Sequence, residues 1–183
     1  MKRITGELDN TDFIRALTAL DRKLQESVEF LLGGGAAMIL AHNYPLTTFD
    51  MDAIPMHTVL SLGEIDRYVK IVAQEEKLPP SWLNPYFSSF IYVLPQDYKK
   101  RLKEVFAGNK LKVSALGRVD LLILKCFAGR EKDIGHARVL LKKLNDKEMN
   151  LVERHLQKLH DANIPRAEQA IHFLDDVKEM LGL

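Results

Sequence analysis

Residues 28–37 read Val-Glu-Phe-Leu-Leu-Gly-Gly-Gly-Ala-Ala, and residues 47–52 read Thr-Thr-Phe-Asp-Met-Asp. The first stretch predicts a strand that runs straight into a glycine turn, followed by a short helix over 36–42. The second predicts a strand over 48–54, closed by Pro55. Because side chains alternate along a strand, Asp50 and Asp52 are expected to lie on one face.

This order of parts indicates a site for a phosphate and a metal ion. Glycines let the backbone approach a phosphate closely, and the N–H groups at a helix start can point at it. Two carboxylates on one face suit Mg²⁺, which itself binds triphosphate oxygens. No Gly-Lys-Ser/Thr follows the glycines, so this is not a Walker loop. Each part alone is more often a plain turn or solvated surface, and only the combination points to phosphoryl or nucleotidyl transfer.

The remaining pattern predicts an α+β fold. A first helix is expected to be capped by Asn10 or Thr11, and Ser61 with Glu64 forms a capping-box pattern for a helix that runs to about Glu76. The stretch 82–94 fits a helix or a strand. The other predicted elements are strands over 103–107 and 110–114 and helices over about 117–128, 131–144, 147–161 and 166–181. We therefore expect a small mixed sheet of about four strands with flanking helices in a core over 1–115. A helical C-terminal half over 116–183 is expected to pack on this core as one compact unit.

The charge is unevenly distributed although the chain of 183 residues has a formal net charge of only +1. Residues 99–143 contain 13 Lys/Arg and 4 Asp/Glu, whereas residues 1–98 contain 8 and 13. The basic block is either a set of solvated helix faces or a field that attracts phosphates or nucleic acid.

Cysteine usage and hydropathy bound the cellular setting. The single cysteine, Cys126, lies in an apolar run and is predicted to be a buried core residue rather than a nucleophile. A chain without a possible internal disulfide fits a reducing, cytoplasmic location. The N-terminus lacks a signal-peptide core, and no apolar run approaches a membrane span, so no membrane partner is expected.

The glycine turn and the Asp pair resemble motifs of the nucleotidyltransferase superfamily. The branch in question contains minimal nucleotidyltransferases, AbiEii-type toxins and DUF6036-like proteins, whose pattern is a hydrophobic strand, Gly-Gly or Gly-Ser, a short helix and Arg-x-Thr-x-Asp-x-Asp. Gly34-Gly35 match the glycine pair, and Thr48, Asp50 and Asp52 match the second motif. The segment 120–133 resembles a helical Lys-x-x-Ala-x-Arg-x-x-Asp element, and Trp82-Leu83-Asn84 resembles a Trp-Leu-Asn element of some relatives.

The resemblance implies an enzyme that moves a nucleoside monophosphate from an NTP to an acceptor hydroxyl of RNA, protein or a small molecule, with Mg²⁺ or Mn²⁺. The implied residues, by role, are Asp50, Asp52 and Lys125 in catalysis, Asp50 and Asp52 as metal ligands, and Gly34, Gly35, Thr48 and Arg130 in nucleotide binding. Plainer roles stay open for two of them: Lys125 as a lysine that snorkels to solvent, and Arg130 as the partner of Asp133 one helical turn away. Relatives also suggest a cognate toxin or antitoxin as partner, or a role in phage defence.

Two departures from the family pattern leave a second interpretation open. Leu46 stands where the motif has arginine. The third carboxylate usual in the superfamily has no clear position, and Asp97 and Glu104 are candidates without a motif behind them. The alternative is therefore a catalytically degenerate module of the same fold that binds RNA or a partner protein.

Overall fold

A computed structural model describes residues 7–45, 47–84 and 91–183. The chain divides into two compact units. The first contains the described residues of 1–88 together with Leu102–Leu116, and the second contains those of 89–101 together with Gly117–Leu183.

The first unit is a mixed sheet with three helices. Its elements are α1 (Asn10–Lys23), β1 (Val28–Leu32), α2 (Gly34–His42), β2 (Met51–Thr58), α3 (Leu62–Glu76), β3 (Leu83–Asn84), β4 (Lys103–Ala107) and β5 (Leu111–Ala115). The strand order is β3-β2-β1-β5-β4 in the described residues. The β1–β2 and β4–β5 pairs are antiparallel, and the β1–β5 and β2–β3 pairs are parallel. The predicted α+β class is confirmed, with five strands instead of about four.

Local capping fixes the starts of two helices in this unit. Ser61 and Glu64 form the predicted capping box, and α3 ends at Glu76 as expected. The cap of α1 is Asp9, which exchanges hydrogen bonds with Asp12, so the prediction of Asn10 or Thr11 is wrong. An aspartate followed three residues later by a second carboxylate satisfies two backbone N–H groups, whereas a cap at Thr11 would leave the first turn unformed.

Strand β2 departs from the prediction at both ends. It begins at Met51, not Thr48, and it continues through Pro55 to Thr58. Pro55 pairs with Phe30, where the register shifts after Glu29. Proline is tolerated at such an irregularity, where the regular hydrogen-bond ladder between the strands is interrupted.

The hairpin of β4 and β5 is held by a carboxylate of α1. Asp21 accepts backbone hydrogen bonds from Asn109, Lys110 and Leu111 at 2.8 to 3.0 Å. Burial raises the pKa of Asp21, but these three N–H groups outweigh it and leave the pKa below the ordinary value. Gly108 is required because an added Cβ would lie 2.3 Å from this carboxylate.

The second unit is helical. It contains short 3₁₀ helices at Ile91–Val93 and Tyr98–Arg101, then α4 (Arg118–Ala128), α5 (Glu131–Leu141), α6 (Asp146–Asp161) and α7 (Ala167–Glu179). The four predicted helices are confirmed within a few residues. Every residue from Val119 to Phe127 in α4 is buried, and α4 contacts α5, α6 and α7. In the ambiguous stretch 82–94, the part 85–90 lies outside the described residues.

Ionic contacts also join elements within the second unit. Arg101 donates two hydrogen bonds to the buried Asp120 of α4, at 2.9 and 2.8 Å, and a third to Asp97.

In the described part of the chain, no helix is both long enough and apolar enough to cross a bilayer.

Candidate functional site

The glycine turn joins β1 to α2 in the conformation that a tight phosphate turn requires. Gly33 is the N-cap of α2 in an extended conformation, and Gly34 has φ +62°, in the left-handed region that favours glycine. Among the described residues, no side-chain cap hydrogen bond is made at this helix start. The cap residue is a glycine and has no side chain that could accept from the first-turn N–H groups.

The Asp52 carboxylate lies directly against this turn. A Cβ added to Gly34 would be 2.3 Å from Asp52 Oδ2, so any other residue here would displace the carboxylate from its present position. The backbone also connects them, because Gly33 N–H donates to the Asp52 carbonyl at 3.0 Å. The two motifs predicted to form the site are thus adjacent.

Thr48 lies against the next residue of the turn. A Cβ added to Gly35 would be 3.2 Å from Thr48 Oγ1. Thr48 is held in place by a two-residue antiparallel bridge, in which it exchanges backbone hydrogen bonds of 2.7 and 3.1 Å with Leu8. Neither Leu8 nor this bridge was expected, because an isolated pair of residues leaves no periodic pattern in the sequence.

Asp50 precedes β2, and it is partly exposed. The side-chain alternation of a strand therefore determines the direction of the Asp52 side chain. It does not determine that of Asp50, which lies outside the strand. Asp50 stays two residues from Asp52 at the start of the strand, and its role as a metal ligand remains a prediction. Leu46, which replaces the motif arginine, lies outside the described residues.

Asn84 had no predicted role of its own, and the structure places it beside Asp52. In the parallel pair of β2 and β3, Asp52 is in register with Asn84, and Met51 with Leu83. Met51 and Leu83 are 0% and 2% exposed, whereas Asp52 and Asn84 are only partly buried. Asp52 and Asn84 therefore share the opposite, accessible face of the sheet. The stretch 82–94 fitted a helix or a strand, so the sequence did not reveal this pairing beforehand.

No third carboxylate joins the Asp pair in the parts of the chain described. No group of three or more His, Cys, Asp or Glu side chains that could hold a metal ion occurs among those residues. Glu104 lies on β4, which β1 and β5 separate from β2, and it forms an ion pair with Lys112 at 3.4 Å. Asp97 belongs to the second unit and accepts a hydrogen bond from Arg101.

Lys125 and Arg130 belong to the second unit, where both contact Asp133. Lys125 Nζ is 2.7 Å from Asp133 Oδ1, and Arg130 Nε is 2.7 Å from Asp133 Oδ2. The Lys125 side chain is only 6% exposed and Asp133 is fully buried, whereas the Arg130 side chain is 55% exposed. Lys125 therefore does not snorkel to solvent, and Arg130 retains an accessible guanidinium face. Their predicted roles in catalysis and nucleotide binding stay predictions.

The charges around Asp133 determine its protonation state. Burial raises its pKa, but Arg130 and Lys125 more than offset this effect and hold the pKa below the usual range of a carboxyl group. Burial lowers the pKa of Lys125 despite the neighbouring carboxylate. His136 Nδ1 lies 4.0 Å from Asp133, and burial together with Lys125 lowers its pKa to about 4, so this imidazole is neutral at pH 7.

Cys126 is buried and unpaired by a disulfide, as predicted. Burial raises the pKa of its thiol, so the reactive thiolate is disfavoured at neutral pH. This environment is that of a core residue and not of a nucleophile.

Comparison with known proteins agrees with the geometry of the turn. The family model described as "Nucleotidyltransferase of unknown function (DUF6036)" matches residues 11–159, and the chain belongs to this family. The resemblance drawn from the glycine and aspartate motifs is thereby confirmed. No curated protein and no solved structure shows a significant match to the chain.

Membership of a nucleotidyltransferase family implies an NTP substrate and a divalent metal ion, and the residues at the turn fit both. Asp52 and Asp50 supply hard oxygen donors, which Mg²⁺ and Mn²⁺ prefer. The space left by the missing Cβ of Gly34 brings the Asp52 carboxylate against the helix start that would receive phosphate oxygens.

Proposed function

We propose that this protein binds a nucleoside triphosphate with Mg²⁺ or Mn²⁺ at the Gly34 turn and transfers the nucleoside monophosphate to an acceptor hydroxyl. The observation that carries the proposal is the position of the Asp52 carboxylate against Gly34, where a Cβ added to residue 34 would lie 2.3 Å from Asp52 Oδ2. It brings an anion-binding helix start and a metal-binding carboxylate together, as triphosphate recognition requires.

The chemistry follows from what these residues can hold. The acceptor oxygen attacks the α-phosphorus, the bond from that phosphorus to the α,β-bridging oxygen breaks, pyrophosphate leaves and the hydroxyl proton passes to solvent. Gly34 and Gly35 bind and orient the triphosphate through backbone N–H groups. Asp50 and Asp52 hold the divalent cation, which supplies charge neutralisation at the phosphate oxygens when it is bound.

A second function has one specific observation in its favour. The absence of a third carboxylate beside Asp52 among the described residues leaves no evident group to take the proton of the acceptor. A degenerate module of the same fold, which binds a metal–nucleotide or RNA without transfer, therefore remains the alternative. A role in a toxin–antitoxin or phage-defence pair rests on the resemblance of the motifs alone.

Replacement of Asp50 or Asp52 by asparagine is expected to remove transfer. Each α-³²P-labelled NTP is incubated with the protein, Mg²⁺ or Mn²⁺, and total RNA or total protein, and label in the acceptor is measured. The isosteric change removes a charged metal ligand while keeping the side-chain volume, so we expect at least about a hundredfold loss. Asp176→Asn, an exposed aspartate on α7, is the matched control and should retain transfer.

The outcomes separate the two functions. Transfer that requires both Asp50 and Asp52 supports the enzyme. Metal-dependent NTP binding without transfer to any acceptor supports the degenerate module. RNA binding with a steep salt dependence that is unchanged in both variants, without transfer, likewise supports the degenerate module.

A further inference from the structure

We propose that Asn84 is a third, neutral oxygen donor of the metal–nucleotide site, so that this protein binds its cation with two carboxylates and one amide. This inference rests on the proposed function of the Gly34 turn. An amide cannot act as a general base near neutral pH. The identity of residue 84 therefore also affects how strongly the protein can activate the acceptor hydroxyl.

The register of the sheet places Asn84 where such a donor is needed. Asp52 and Asn84 are paired residues of neighbouring parallel strands, which lie about 4.8 Å apart. Their neighbours Met51 and Leu83 point into the core, so the Asp52 and Asn84 side chains leave the sheet on the same side. Gly34 contacts the Asp52 carboxylate, and Asn84 thus flanks a carboxylate that already adjoins the turn.

The preceding tryptophan helps to hold β3 in this register. Trp82 is fully buried, and its Nε1 donates a hydrogen bond of 3.1 Å to the carbonyl of Val69 in α3. Its own carbonyl accepts from the Met51 N–H at 2.7 Å. A large anchored side chain therefore fixes the start of β3 against both α3 and β2. This anchor lies two residues before Asn84 and so helps to fix the position of Asn84.

An amide ligand at position 84 differs from a carboxylate in its charge and in its ability to accept a proton. An amide oxygen is a hard donor that can complete a cation's coordination, but it adds no negative charge and accepts no proton near neutral pH. The two aspartates therefore give the site a charge of −2, and no base arises at the Asn84 position. Glu104 and Asp97 do not replace it, because they have the separate ionic contacts described above.

Conversion of Asn84 to aspartate should therefore strengthen cation binding. Mn²⁺ affinity is measured by electron paramagnetic resonance on the full chain, with and without a non-hydrolysable NTP. We expect Asn84→Asp to raise the affinity at least about tenfold because it adds a charge beside Asp52. Asn84→Ala should lower the affinity by a similar factor. Asn150→Asp, on the exposed face of α6, adds the same charge elsewhere and should leave the affinity within about twofold.

The affinities of these variants distinguish a failure of the Asn84 role from a failure of the proposed function. Increased affinity in Asn84→Asp and decreased affinity in Asn84→Ala, with Asn150→Asp unchanged, support the proposal. Mn²⁺ binding that depends on Asp52 but is unaffected by either Asn84 change overturns the role of Asn84 and leaves the proposed function intact. Binding that is also indifferent to Asp52→Asn overturns the proposed function and this inference with it. Thermal melting of each variant without metal shows that it is folded.

Discussion

Replacement of Gly34 by alanine is expected to reduce metal-dependent NTP binding by at least about a hundredfold and to lower the free energy of unfolding by about 1–3 kcal/mol. The new Cβ would lie 2.3 Å from Asp52 Oδ2 and 3.3 Å from Asp52 Cβ, so the carboxylate must move away from the turn. The φ of +62° adds strain for any residue with a Cβ. Equilibrium dialysis with labelled NTP and Mn²⁺ measures the affinity, and urea titration measures the stability.

The control for this change is Gly63→Ala in α3. A Cβ added to Gly63 meets nothing within 4 Å, and alanine is favoured over glycine in a helix, so stability should be unchanged or increased by up to about 1 kcal/mol. NTP binding should stay as in the natural chain. If Gly34→Ala bound NTP as tightly as Gly63→Ala, the turn would not be the phosphate-binding element.

Replacement of Asp133 by asparagine is expected to have the largest effect on stability, about 3–5 kcal/mol. The change leaves the Lys125 ammonium buried without a counter-charge, whereas Arg130 can turn into solvent because its side chain is 55% exposed. Lys125→Met should cost less, below about 2 kcal/mol, because Asp133 keeps its 2.7 Å contact with Arg130. Urea titrations of both variants test this asymmetry.

The pH dependence of Asp133→Asn provides a further check on the same pair. Burial already lowers the pKa of Lys125 in the folded protein, and removal of Asp133 lowers it more. The unfolded chain, with a lysine pKa of about 10.4, then binds more protons than the folded chain over the interval between the two values. The free energy of unfolding of the variant should therefore rise as pH increases from 7 toward 10. Equal losses in the two variants, or a pH-independent deficit, would show that the ion pair does not carry the effect.

Helices and strands with a long, regular spacing of apolar residues were predictable from the sequence. The helices from α4 to α7 follow apolar spacing and clear stops at Gly129, Asn145 and Pro165, and β1 is a short apolar strand, interrupted only by Glu29, before the glycines. The glycine turn and Asp52 were predictable because a Gly-rich strand end and a carboxylate at fixed spacing have a common chemical use.

The features that escaped prediction depend on long-range contacts. β3 depends on the hydrogen bond from Trp82 to α3 and on the pairing of Leu83 and Asn84 with β2, contacts that the local sequence pattern does not show. β2 runs through Pro55 because the register of its pairing with β1 shifts there, which no local rule about proline can anticipate. Lys125 in an apolar helix was ambiguous because its partner, Asp133, lies on the next helix.

The most direct measurement is a crystal structure of the protein with Mn²⁺ and a non-hydrolysable NTP, in which anomalous scattering locates the metal. We predict a manganese peak bound by Asp50 and Asp52, with triphosphate oxygens on the N–H groups of Gly34 and Gly35. A manganese–nucleotide bound elsewhere on the chain, with the Asp52 carboxylate still packed on Gly34 and bearing no metal, would contradict the proposed site.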